Sequence, residues 1–297
     1  IAGSYEFTGQ SDGETKGEDG TSDVVAATSA SFDVQQVIGS NIQAVTANVQ
    51  AEIVESVNFR GNSSESNNSS VNEAGERVNE YTENEGAATL VNLGSADERV
   101  NSIRNVDVLS ATVNVFANNV DSLGIFGQNV FTGKDTFSES INLFDDSISA
   151  AEVSSVVYQY ESTSTDQGAE NINVVAFLNL FDGDLVGKNV TLQVGNSETE
   201  SSTSGSSIVS DLIIVGGFTE TELTTRTQTS SGSDITETEI NYTDLAADSI
   251  EVSIIGQAEN VTLRGKDVSV SAEAFANLEV SGGGVFKEEF TRDTFGS

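Results

Sequence analysis

The chain contains no cysteine, histidine, methionine, tryptophan or proline in 297 residues. Without histidine there is no Ser-His or Cys-His couple, no imidazole base and no imidazole metal ligand; without cysteine there is no thiolate nucleophile, zinc knuckle or iron–sulfur cluster. Positive charge is nearly as scarce. Twelve Lys and Arg stand against 47 Asp and Glu, for a formal charge of −35. Such a field opposes nucleic acid and anionic lipid and attracts cations. No apolar run approaches the ~18 residues of a membrane span, so neither nucleic-acid binding nor membrane insertion is expected. The charge suits salty or calcium-containing surroundings, where counterions confine repulsion to about 8 Å or less. A start at Ile1 rather than methionine reads as a processed end with its signal peptide removed, and with the missing cysteines it fits an extracellular or cell-surface protein. Six Asn-x-Ser/Thr sites, Asn62, Asn67, Asn68, Asn189, Asn241 and Asn260, are candidate glycosylation positions.

What is present is alternation. From Val45 the odd positions read Val45, Ala47, Val49, Ala51, Ile53 and, after Glu55, Val57 and Phe59, against polar even positions broken only by Val54. That is period two with one apolar face. Similar stretches at Val106–Ala117, Ile172–Leu180, Val190–Val194, Ile208–Val215, Ile250–Ile255, Val261–Leu263 and Val268–Val280, separated by Gly, Asn, Asp and Ser clusters, predict an all-β chain. Helical spacing is confined to Asn72–Asn92 and Ala96–Arg104. A β protein without proline keeps every backbone N–H able to pair, edges included.

The segment Val108–Asn118, with Phe126, Phe131 and Phe137 beyond it, recurs as Val270–Asn277 with Phe286, Phe290 and Phe295. This duplication predicts three parts: an acidic Gly-rich segment over 1–30 with a candidate donated strand, a first β half over 31–147, and a second β half over 148–297 ending in an aromatic run. Shorter units recur as Gly/Asn/Asp, then Val-x-Val/Leu, then a small residue, in Leu185–Val194, Ala258–Gly265 and Gly265–Ala272. This pattern resembles the repeats of secreted β-solenoid filamentous adhesins and haemagglutinin-like proteins over residues 170–285, with traces at 36–60 and 105–130. The resemblance implies a β-solenoid, a parallel β-helix-like stack. The long alternation at Val45–Phe59 departs from it and suits a long-stranded antiparallel β-sandwich, the alternative fold.

Candidate sites are few. Asp12, Glu14, Asp19 and Asp23 lie in a Gly-rich run, and Asp182 and Asp184 flank Gly183; hard oxygen ligands of this kind suit calcium, although the spacing is not an EF-hand loop. No other cofactor is implied. Glu220, Glu222, Glu237 and Glu239 are further acidic positions whose simplest account is a solvated strand face. Glycoside hydrolysis needs only two carboxylates, but no Trp, five Tyr and few Arg leave no evident platform for a sugar ring, so the chain reads as a non-enzyme. The phenylalanines Phe116, Phe126, Phe131, Phe137 and Phe144, mirrored by Phe275, Phe286, Phe290 and Phe295, are expected to stack in the core. The functional expectation is an extracellular structural protein that pairs with copies of itself into a filament, sheath or biofilm matrix, through Ala2, Tyr5 and Phe7 at one terminus and Phe286, Phe290 and Phe295 at the other. The alternative is a monomeric adhesin with calcium-ordered loops that contacts a cell surface or matrix.

Overall fold

Alternation on this scale should give strands throughout, and the computed structural model contains no helix among its described residues, which are 3–8, 23–72, 76–142, 153–195, 207–229, 233–282 and 284–295. Two sheets divide the strands. Sheet A holds β1 (Gly3–Thr8), β2 (Asp23–Arg60), β5 (Ala88–Leu93), β6 (Val100–Val120), β7 (Leu123–Phe126), β10 (Ala169–Val194), β11 (Ser207–Val215), β14 (Ala247–Ile254), β15 (Gly256–Ser271) and β16 (Ala274–Ser281). Sheet B holds β3 (Ser64–Val71), β4 (Arg77–Glu85), β8 (Gln128–Asn142), β9 (Val153–Gln167), β12 (Gly217–Thr229), β13 (Ser233–Leu245) and β17 (Gly284–Phe295). Apart from the β1–β2 pair, sheet A is parallel; sheet B is antiparallel, in the order β17-β13-β12-β9-β8-β4-β3.

The helices expected at Asn72–Asn92 and Ala96–Arg104 are not formed. Arg77–Glu85 and Ala88–Leu93 are strands and Val100 begins β6. Cross-strand partners on β3, β8, β2 and β6 outweigh a helical spacing supported by few good helix formers.

The antiparallel reading of Val45–Phe59 is also corrected. Thr46–Val49 pairs in parallel with Leu90–Leu93, and Ile53–Phe59 with Ser102–Val108. At about 3.3 Å per residue, 38 residues of straight strand would reach about 125 Å. Instead β2 winds back on itself: Thr46 Oγ1 donates to Thr28 O at 3.3 Å and Asn58 Nδ2 to Asn41 Oδ1 at 2.9 Å, 18 and 17 residues apart. The same interval joins Asn118 to Asn101, Arg104 to Asp121, Lys188 to Glu170, Lys266 to Asp248 and Asn277 to Asn260. Contacts between neighbouring strands of sheet A thus recur at an interval of 17 or 18 residues. At the corners the alternation slips, which is why Val54, out of phase in the sequence, is fully buried while Val45 is 39% exposed.

One corner runs through seven layers. The pairings on either side place Ser56, Asn105, Ser122, Asp182, Asp211, Asn260 and Asn277 in successive register. All but Ser122 have φ between 44° and 57°, a left-handed conformation that Asn and Asp tolerate better than most residues. Their side chains join neighbouring layers: Asn260 donates to Asp211 at 2.8 Å and Asn277 to Asn260 at 2.9 Å. A second rail runs Asn114 to Asn92 to Asn48 at 2.9 and 2.7 Å.

Beside the corner lie the apolar columns that form the core. Phe59, Val108, Ile125, Leu185, Ile214 and Leu263 follow one another in register and are completely buried. Val57, Val106, Leu123, Leu212 and Val261 form a second column, with Gly183 in the layer between Leu123 and Leu212. Burial of such side chains contributes about 1.5–3 kcal/mol each. Among the described residues the expected phenylalanine core is not observed. Phe32 and Phe59 are the largest buried side chains, whereas Phe116, Phe126 and Phe131 are half-buried and Phe275 is 38% exposed, because layers set ~4.8 Å apart fill best with Val, Ile, Leu and Ala. Phe144 lies outside the described residues, and the side chains of Phe137, Phe286, Phe290 and Phe295 are not among those described.

Sheet B is built from excursions out of sheet A. The chain leaves at Gly61, Gly127 and Gly216, where Gly61 N–H donates to Gly86 O, Gly127 N–H to Gln167 O and Gly216 N–H to Leu245 O, each at 2.7 Å. The two sequence halves meet inside one such excursion, since residue 147 falls between β8 and β9, which pair along their lengths.

Candidate functional site

The end of the stack is where the columns stop. β16 pairs with β15 through Gln257↔Ala274 to Arg264↔Ser281 and, among the described residues, has no strand on its other side. The column of Phe59 ends at Val280, the column of Val57 at Leu278, and the row Leu180, Val209, Ala258 at Phe275. Their predecessors are at most 1% exposed, but Val280 is 50% exposed and Leu278 and Phe275 are each 38% exposed. An edge of this composition carries unpaired backbone groups and apolar side chains together, the combination that templates a further strand. Asn277 is the last member of the corner rail in the same strand.

The opposite end differs. β1 lies antiparallel on β2, with Tyr5 opposite Phe32 and Phe7 opposite Ala30; both β2 residues are buried. The terminal strand singled out from the sequence thus pairs within its own chain here. Ala2 lies outside the described residues. At the other terminus β17 pairs with β13, placing Phe286 opposite Tyr242, Phe290 opposite Thr238 and Phe295 opposite Ser233. Sequence reasoning missed Phe275, Leu278 and Val280 as a set, because their exposure follows from β16 being last in the stack, which local pattern does not reveal.

Of the acidic candidates, Asp12, Glu14 and Asp19 lie outside the described residues, and Asp23 opens β2 with its side chain undescribed. Asp182 takes the corner position at φ 44° and accepts from Ser122 Oγ at 3.5 Å. Close packing, then Asp182 and Asp107, raise the pKa of Asp184; Asp107 is itself raised by desolvation, its carboxylate filling the space beside Gly124. Among the described residues no group of three or more acidic side chains is arranged to hold a metal ion. Among the described residues the most perturbed carboxylate is Asp166, 8% exposed, whose pKa burial, then Glu85 and Asp184, push up to about 6.

The sign of that shift gives a prediction. Folding favours protonated Asp166, so its contribution is fully present below the unfolded pKa near 3.8 and is lost as pH rises through about 6. Asp166→Asn is expected to be more stable than the parent by about 2 kcal/mol at pH 7 and nearly equal to it at pH 4. Thermal melts of both chains across that range check it; an equal or lower melting temperature for the variant at pH 7 would contradict the assignment.

The candidate glycosylation sites separate into two groups. Asn62, Asn67 and Asn68 are exposed in or beside β3, the edge of sheet B. Asn189, Asn241 and Asn260 have their side-chain nitrogens engaged, on Glu170 O, Glu239 Oε1 and Asp211 Oδ1 at 3.0, 3.0 and 2.8 Å.

Comparisons with protein-family models, curated proteins and solved structures found no match. The likeness to filamentous adhesins therefore rests on the Val-x-Val/Leu units alone.

Proposed function

We propose that this is an extracellular structural protein, not an enzyme, in which sheet A is a β-solenoid of two related halves and which assembles with copies of itself into a filament, sheath or matrix. The observation that carries the reading is the exposed last layer: Phe275, Leu278 and Val280 continue buried columns and stand on an unpaired edge. A second copy is the occupant that continues both the columns and the backbone ladder. Because the two ends of the stack are unlike, such contacts are head-to-tail, and head-to-tail contacts that do not close into rings give open fibres. In the assembled state Ile1–Thr8 leaves its own β2 and pairs with the β16 edge of the neighbour. Salt or calcium favours assembly by screening a charge of −35 per copy.

Negative-stain electron microscopy of the concentrated chain in high salt, with calcium and then with chelator, tests the reading. Ordered fibres are expected, and a chain lacking Ile1–Thr8 is expected to remain monomeric. Monomers of the intact chain with calcium and with chelator alike would sink the proposal and favour the second reading, a cell-surface binding module, for which a groove on sheet B lined by Arg77, Tyr158 and Arg226 is the supporting observation. Fibres from the truncated chain would remove strand donation alone.

A further inference from the structure

Sheet B gathers basic and aromatic side chains that the sequence scatters. Pairing places Arg77 opposite Phe137, Phe137 opposite Tyr158, Tyr158 opposite Arg226, Arg226 opposite Thr236 and Thr236 opposite Arg292, one row running from β4 to β17. Residues paired across a sheet share a face. Arg77, Tyr158 and Arg226 therefore lie on one face of the sheet.

Arg77, Tyr158 and Arg226 line a groove of about 520 Å³, with Asn79, Asp135 and Tyr160 from the next row. That volume is within the range of small-ligand sites. Tyr158 is 50% exposed. The floor is held: Tyr160 Oη lies 3.0 Å from Tyr81 Oη, and Thr224 Oγ1 3.0 Å from Thr238 Oγ1. At about 4.8 Å per strand, Arg77 and Arg226 stand three strands, roughly 14 Å, apart with the tyrosine between them.

We propose that this groove binds an acidic saccharide, a uronate or sulfated sugar chain. Each guanidinium offers a planar fork matched to a carboxylate or sulfate, the Tyr158 ring offers a stacking face to a pyranose, and Asn79 and Asp135 exchange hydrogen bonds with hydroxyls. An acidic peptide would use the arginines but leave the ring face without a partner. The overall negative charge is screened beyond about 8 Å at physiological salt, whereas the forks act at contact. The proposal is independent of self-assembly, since the groove is on sheet B and the stack ends on β16.

Calorimetric titration of the full chain in 0.15 M salt tests it with four probes: an oligogalacturonate hexamer, a heparin hexasaccharide, maltohexaose and hexaglutamate. One of the two acidic saccharides is expected to bind, and which one separates carboxylate from sulfate recognition. Arg77→Gln, Arg226→Gln and Tyr158→Ser should each weaken that binding at least 10-fold with unchanged circular dichroism and melting temperature. No binding of either acidic saccharide at millimolar concentration, equal binding of maltohexaose or hexaglutamate, or binding that survives all three substitutions would overturn it. If a variant misfolds, Arg226→Lys is the second test: it keeps the charge, loses the fork, and should still weaken binding several-fold.

Discussion

Gly168→Ala is expected to destabilise the protein by about 3 kcal/mol, lowering the melting temperature by roughly 6–12 °C. Gly168 sits where β9 returns to sheet A, and a Cβ there would lie 2.2 Å from Gly216 O and 3.0 Å from Gly187 Cα. Both are backbone atoms of adjoining layers, so no side chain can swing aside. Relief requires separating the return of one excursion from the departure of the next, at Gly216, and that strains β10 and β12 together. Gly282→Ala is the control, with nothing within 4 Å of the added methyl. Melting curves of the two variants beside the parent decide the matter; equal loss in both, or none in Gly168→Ala, would show that the necks have room to shift.

The second large effect concerns assembly rather than folding. The double variant Leu278→Glu and Val280→Glu should abolish fibres at concentrations where the parent forms them, raising the critical concentration about 100-fold. Covering two partly exposed aliphatic side chains contributes on the order of 3 kcal/mol, and carboxylates placed there would have to be desolvated between layers that already repel. Since Leu278 and Val280 are 38% and 50% exposed in the single chain, its melting temperature should stay nearly unchanged. Sedimentation assays over a concentration series give the critical concentration. Pelleting indistinguishable from the parent would place the subunit contact elsewhere, with the end of sheet B at β17 the next surface to test.

The all-β character and the strong negative charge were legible in the sequence, because strand alternation and charge are local or summed properties. The 17–18-residue interval was present but disguised. Asn41 and Asn58, Asn101 and Asn118, and Asn260 and Asn277 each stand 17 apart, yet excursions such as Gly61–Gly86 and Gly127–Gly168 break the period and spread one rail over intervals of 49, 17, 60, 29, 49 and 17 residues. Phe116, Phe126, Phe131 and Phe275 were misjudged for a related reason. Their size promised a core, but closely spaced layers favour aliphatic side chains, and several of the aromatics occur where the chain passes into or lies within sheet B.

What the sequence determined by itself is the material: β-prone segments, left-handed-tolerant Asn and Asp at intervals, glycines at points of departure, and a single sign of charge. What the tertiary structure decided is which residues meet. Parallel stacking set Ser56 in line with Asn277 and Phe59 in line with Val280, and antiparallel pairing set Arg77 in line with Tyr158 and Arg226. The physical reason is that alternation fixes the face of a strand on which a side chain lies, while its neighbours across the strand depend on register, and register is set by partners far away in the chain.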